Sequence, residues 1–198
     1  MSYYGNEYER RTLMNIEALY FQKYFYFKHL NQSSSEHRVT YWVKLSRDIE
    51  LHRLMYALLD VVQNQPVLRT QFVTDDFNQL KINLRDFFPF IEIKEVNEMS
   101  QSIDLEAFFT RNLNSYHFNQ LPLFNFKIYQ FLDGAYLLLD FHATIFNESQ
   151  LTPFLQQLNI AYTHSLKSEY SISDFYNWIK EMNQKMDQNQ VVCPSKHF

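Results

Sequence analysis

The sequence predicts an α/β fold, a two-layer sandwich in which helices pack on a mixed sheet. Three observations carry that prediction. Between Ile49 and Gln63, the apolar residues Leu51, Leu54, Met55, Leu58 and Val62 recur at helical spacing. Val39, Tyr41, Val43 and Leu45 alternate with Thr40, Trp42 and Lys44, the period-two signature of a strand whose two faces meet different surroundings. Asp133-Gly134 separates two apolar runs, and a dipeptide that tolerates positive φ in that place marks a hairpin, so at least one strand pair is antiparallel and the sheet is not purely parallel.

In chain order, Leu13 to Phe27 reads as a helix, aromatic almost all round. The strand from Val39 to Leu45 and the helix from Ile49 to Gln63 follow, with Pro66 as the helix stop and Val67 to Val73 as the next strand. Leu80 to Leu84 and Ile91 to Val96 read as short strands either side of an aromatic loop at Phe87, Phe88, Pro89 and Phe90, and Ile103 to Leu113 as a helix. Leu123 to Phe131 and Ala135 to His142 are the hairpin arms. Ser149 suits a helix cap, and Leu151, Phe154, Leu155, Leu158 and Tyr162 form the apolar stripe that follows it. A last helix is expected from Ser173 to Met186. The chain therefore divides into a polar segment 1–12, one folded unit 13–186 and a loose tail 187–198.

Composition narrows the function. Hydrophobic residues make up 46% of the 198 and aromatics 18%, with 19 Phe and 14 Tyr, so a chain of this length can bury about 70% of its unfolded surface. Glycine occurs only at Gly5 and Gly134, which excludes the glycine-rich phosphate loops of nucleotide-binding enzymes. The net charge is −4 and the lysines and arginines are scattered, which argues against a nucleic-acid partner. Cys193 is the single cysteine; it permits no intrachain disulfide or multi-cysteine zinc site and is too isolated to read as a nucleophile. His29, His37, His52, His117, His164 and His197 show no metal-ligand spacing and are expected on the surface, with no metal bound. The first eleven residues lack the apolar core of a signal peptide, and no run approaches the roughly 18 apolar residues of a bilayer span. The expectation is a cytoplasmic protein with no membrane partner. The aromatic excess is expected to fill a core or an interface.

Three motifs lie beyond composition. Asn64-Gln65-Pro66-Val67-Leu68-Arg69-Thr70-Gln71-Phe72 follows the strongest helix. Tyr116-His117-Phe118-Asn119 and Leu121-Pro122-Leu123-Phe124 precede the hairpin, and Leu137-Leu138-Leu139-Asp140-Phe141-His142-Ala143-Thr144-Ile145-Phe146-Asn147-Glu148-Ser149 ends it. In this order and spacing they resemble the His-Pro-x-Leu-Arg-Thr-x-Phe, Pro-Phe-Asp-Leu and His-His-x-x-x-Asp-Gly-x-Ser segments of nonribosomal peptide synthetase condensation domains. Weaker echoes are Glu17-Ala18-Leu19-Tyr20 and Ser173-Asp174-Phe175-Tyr176-Asn177-Trp178. The departures are Gln65 for the histidine of the first motif, Asn125 for an arginine, and Ala143, Asn147 and Glu148 for the second His, the Asp and the Gly of the signature.

The resemblance implies a chloramphenicol-acetyltransferase-like lobe, the N-terminal one of a pair whose junction holds the active site and two carrier-arm tunnels. It implies acyl transfer from a carrier protein's phosphopantetheine arm, with no other cofactor, and a synthetase module as partner. In such enzymes the second His acts as general base or positions the attacking amine, and Ala143 does neither. The side chain of His142 points to the opposite face of an extended strand from its neighbour's. The signature Asp is a structural residue thought to pair with the arginine of the second motif, positions held here by Asn147 and Arg69, and Asn147 carries no charge for that pairing. No residue is therefore assigned as catalytic. Two functions stay open on the sequence: a silent adaptor that keeps the carrier-protein or synthetase surface, or one chain of a split or oligomeric acyltransferase completed by a second lobe or a second copy. A ligand-binding α/β domain with an aromatic pocket is the remaining reading.

Overall fold

In the computed structural model of the chain, residues 16–31, 37–76, 79–85, 87, 89–118, 120–164 and 172–188 are described. Cys193, His197, Asn119 and Phe88 lie outside them, as do all of the segment 1–12 and most of the expected tail. Among the described residues, seven strands and five helices follow one another: β1 (Ile16–Glu17), α1 (Tyr20–Asn31), β2 (Arg38–Lys44), α2 (Leu51–Asn64), β3 (Thr70–Thr74), β4 (Leu80–Leu84), β5 (Glu92–Val96), α3 (Leu105–Arg111), β6 (Phe124–Phe131), β7 (Gly134–His142), α4 (Leu151–Thr163) and α5 (Ile172–Gln188).

The α/β class and the mixed sheet are as the sequence predicts. Four strands run in the order β2-β7-β6-β5, with β5 parallel to β6 and the other pairs antiparallel. The turn at Asp133-Gly134 joins β6 to β7, and Gly134 has φ 154°, a conformation that costs a side-chain-bearing residue energy. Side chains alternate across this sheet. Leu137, Leu139 and Phe141 of β7, with Phe124, Phe126 and Ile128 of β6, join the core formed with Leu54, Leu58, Val61 and Val62 of α2 and Phe154 and Leu158 of α4. Tyr129, Phe131, Tyr136 and Leu138 face the other way and pack with Phe109 of α3. The helix α3 thus adds a smaller layer on the second face. A separate sheet in the order β1-β4-β3 was not legible as such in the sequence. It joins the main core through Ile16, Phe72, Leu80 and Ile82.

The sequence-based boundaries need four corrections. The helix expected from Leu13 to Phe27 runs, among the described residues, from Tyr20 to Asn31, because Ile16 and Glu17 pair with Ile82 and Lys81 as a strand and the Leu19 amide is capped by Gln22 Oε1 at 2.9 Å. Pro66–Arg69 is a 3-10 turn rather than the start of a strand; Pro66 opens it and the Thr70 hydroxyl closes it on Pro66 O at 3.2 Å. Ser149 is not the cap before α4. Asn147 caps the short turn Glu148–Gln150, its Oδ1 accepting from Ser149 N at 3.0 Å while Gln150 Oε1 accepts from Asn147 N at 2.8 Å. The helix α5 starts at Ile172, so Ser173 is inside it, and it runs to Gln188, into the expected tail.

β2 is an edge strand. The bonds Ala143 N to His37 O at 2.9 Å and Leu45 N to Ala135 O at 2.8 Å place the odd-numbered residues in hydrogen-bonded pairs with β7. The backbone N–H and C=O groups of Arg38, Thr40, Trp42 and Lys44 therefore point outward, where no strand of the described residues pairs with them.

Candidate functional site

A groove of about 560 Å³ lies where α1, α4, α5, the corner after α2 and the loop after β7 meet. Leu19, Phe21 and Gln22 contribute from α1 and its approach, Asn64 to Val67 from the corner, Ile145 to Asn147 from the signature loop, and Phe175 and Trp178 from α5. Its chemistry is narrow. Among the described lining residues no side chain is charged or titratable, and apart from the Trp178 indole every polar one is a carboxamide: Gln22, Asn64, Gln65, Asn147, Gln150 and Gln157. Several are bonded to each other or to backbone, leaving part of each amide for a ligand. Gln65 Nε2 donates to Gln157 Oε1 at 2.5 Å, and Asn64 Nδ2 donates to Asp60 O at 2.9 Å. Asn64 Oδ1 is buried without a hydrogen-bond partner, a cost relieved by a donor arriving in the groove. Phe21 and Trp178 are 40% and 48% exposed at its rim.

Of the positions at which the sequence departs from the family motifs, Gln65 and Asn147 line the groove. Glu148 is exposed beside it. Arg69 is buried in the turn after α2, whereas Asn147 is exposed with its side chain used as a cap. Ala143 is in the turn after β7, half-buried, its amide bonded to His37 O. His142 is fully buried and does not line the groove. Its Nδ1 lies 3.1 Å from Thr144 N and 2.7 Å from Thr144 Oγ1, its Nε2 lies 3.3 Å from His29 Nδ1, and its ring stands edge-on to Phe118 and Tyr116. Burial first, then His29, His37 and Arg38, pushes its pKa down to about 3.

Two histidines expected on the surface are not there. His37 is 4% exposed and His29 is half-buried on α1 against Phe118 and His142. Burial, His37 and His117 lower the His29 pKa. Neither is at a recognisable motif position, so spacing carried no signal. No group of three or more metal-ligating side chains is assembled among the described residues.

A second buried group escaped the sequence reading. Asp140, with no exposed surface, accepts from Arg38 Nε at 3.2 Å, Arg38 Nη2 at 3.1 Å, Thr40 Oγ1 at 2.9 Å and Tyr116 Oη at 2.6 Å. The Arg38 guanidinium also lies 4.5 Å from the centre of the Tyr116 ring and donates to Asn114 O. Burial raises the Asp140 carboxyl above the usual range despite these donors, and raises the Tyr116 hydroxyl well above its own. The signal was present: a lone charge inside the run Leu137–Phe141.

The sequence profile of the condensation domain matches residues 16–194. The chain belongs to the condensation-domain family. Solved structures place this condensation-domain chain on the same fold at low identity. The starter condensation domain of rhizomide synthetase, as a double mutant in a product-released conformation, superposes with a TM-score of 0.75 at 13% identity over 92% of this chain and 46% of that one. The X-domain from teicoplanin biosynthesis gives 0.69 at 14%, over 91% and 41%. The first condensation domain of the calcium-dependent antibiotic synthetase, in complex with a substrate analogue, gives 0.73 at 10%, over 87% and 44%. The condensation-domain chain thus spans less than half the length of these relatives. No protein of curated description matches it. No helix among the described residues is long and apolar enough to cross a membrane.

Proposed function

We propose that this condensation-domain half is catalytically silent and serves as an adaptor, docking a carrier protein or synthetase module in the cytoplasm. The observation that carries the reading is the groove: the signature loop opens onto it, yet among its described walls no side chain takes or gives a proton, and Ala143 holds the base position. A missing general base forfeits roughly a hundredfold to ten-thousandfold in rate. What the groove retains is an apolar channel with carboxamides, which suits an uncharged, amide-bearing chain such as the phosphopantetheine arm, held without chemistry.

The test pairs a binding and a turnover measurement. Fluorescence anisotropy with a phosphopantetheinylated carrier protein is expected to show saturable binding that weakens when Gln65 and Gln157 are both changed to leucine. Incubation with two carrier-bound thioesters is expected to give no amide, also for Ala143→His, because a base alone does not reverse the changes at Asn147 and Glu148 of the same signature. Amide formation by the wild-type chain, or by Ala143→His alone, sinks the silent reading.

A second reading, one chain of a split or oligomeric acyltransferase, is favoured by the apolar rim. Phe21 and Trp178 line the groove and are 40% and 48% exposed, and Tyr20 and Tyr24 of the same helix as Phe21 are exposed as well, the kind of surface a second lobe covers. Amide formation that appears only at concentrations where light scattering reports a dimer, or only on adding a partner chain, selects this reading.

A further inference from the structure

The hydrogen-bond order around His142 constrains the protonation of two rings. A backbone amide only donates, so Thr144 N–H at 3.1 Å fixes His142 Nδ1 as an acceptor, and the Thr144 hydroxyl at 2.7 Å donates to the same atom. A neutral His142 then carries its proton on Nε2, which donates to His29 Nδ1 at 3.3 Å. That nitrogen must be unprotonated in turn. The order runs one way, from the loop after β7 through His142 to α1, and it closes only when both imidazoles are neutral. A second proton on His142 sets two hydrogens against each other at Nδ1; a proton on His29 Nδ1 does the same at Nε2.

Among the described residues no free countercharge faces the pair. The groups that face the pair are His37 just before β2, Arg38 of β2, His117 and Tyr116 of the segment before β6, and, beyond Tyr116, Asp140 of β7. Apart from Asp140 and Tyr116, these groups are bases and supply no negative charge. Asp140 is already occupied by Arg38, Thr40 and Tyr116. Burial lowers both imidazole pKa values, in the direction the bonding requires.

We infer that the His142–His29 pair is an acid-release latch, which holds the C-terminal half of α1 against the end of the large sheet while both rings are neutral and lets it go when either gains a proton. The same helix begins at the groove, where Phe21 and Gln22 form part of the wall, and the same loop continues into Ile145, Phe146 and Asn147 of the opposite wall. The latch therefore ties the shape of the groove to pH although no described wall residue titrates. It does not depend on what the groove binds, and it is tested without a ligand.

Hydrogen exchange, corrected for the intrinsic pH dependence, reads the latch directly. Between about pH 7.5 and pH 5 the amides of Tyr24 to Leu30 are expected to lose protection by about tenfold or more, since the released ring takes up a proton that the docked ring refuses, while β6 and β7 keep theirs. His29→Phe replaces the acceptor with a ring that suits its Phe118 neighbour, and its α1 is expected to change less than about twofold over the same range. Unchanged protection of α1 in the wild type, or equal acid opening in His29→Phe, overturns the inference. Should that variant misfold, nitrogen-15 ring spectra of the wild-type chain decide. At neutral pH His142 is expected as the Nε2–H tautomer and His29 with Nδ1 bare, and a proton on either Nδ1 overturns the latch.

Discussion

Asp140 shows how a single residue organises the second face of the sheet. Its four donors come from β2 and from the segment before β6, so one carboxylate ties an edge strand and a connecting loop to the central strand. Asp140→Asn is expected to lower stability by about 3 kcal/mol, because it leaves the Arg38 guanidinium, 13% exposed, without its countercharge. Tyr116→Phe removes one bond to a charged acceptor and is expected to cost about 1.5 to 3 kcal/mol. Chemical denaturation of both variants checks the order; a smaller loss for Asp140→Asn than for Tyr116→Phe shows that Arg38 finds another partner. The charge inside an apolar strand was visible in the sequence, but its partner, 102 residues earlier, was not. Nothing local distinguishes Arg38 from other arginines, and only the β2–β7 register brings the two together. The carboxamides of the groove were hidden as a set for the same reason. Gln65 stood out as a departure from a motif, but Gln22 on α1 and Gln157 on α4 each alone read as an ordinary polar residue.

Elements were more legible than their ends. The stripe of α2 and the alternation of β2 are properties of short windows, and both elements fall within one or two residues of the sequence expectation. The start of α1 depends on Ile16 pairing with Ile82, a long-range event that composition does not encode. At the hairpin, local chemistry decides: Gly134→Ala is expected to cost about 1 to 3 kcal/mol through backbone strain at φ 154°, because the added Cβ meets only Lys44 Cε at an ordinary 3.5 Å. At the start of α4, Asn147→Ala is expected to lose about 1 kcal/mol with the cap, while Asn147→Asp holds the cap and favours the helix end. Thermal melts of the three variants test these statements together. A gain in Asn147→Asp that vanishes when Arg69 is changed to methionine identifies the ion pair suggested by the family signature; a gain that survives assigns the effect to the cap.

At the scale of the whole molecule, the buried imidazoles set the pH response. The unfolded chain titrates His142 near 6.5 and the folded chain near 3, so the unfolded state binds more protons between those values. The melting temperature is expected to be insensitive to these rings above about pH 7 and to fall progressively as the pH drops below about 6.5. A curve that is flat down to pH 5 contradicts the burial of His142. The outer side of β2 has a different consequence, for the behaviour of the protein in concentrated solution. Arg38, Thr40, Trp42 and Lys44 present an open row of backbone donors and acceptors flanked by Trp42 and Val43, which are 40% and 43% exposed. Such a row is a template on which any extended segment can zip, whatever its sequence. Among the described residues, this open rim is the seven-residue strand β2, which starts beside His142 of the signature and runs away from it. Val43→Lys is expected to delay the onset of turbidity on concentration while leaving the thermal melting temperature within about 1 °C of the wild type, since the side chain is exposed.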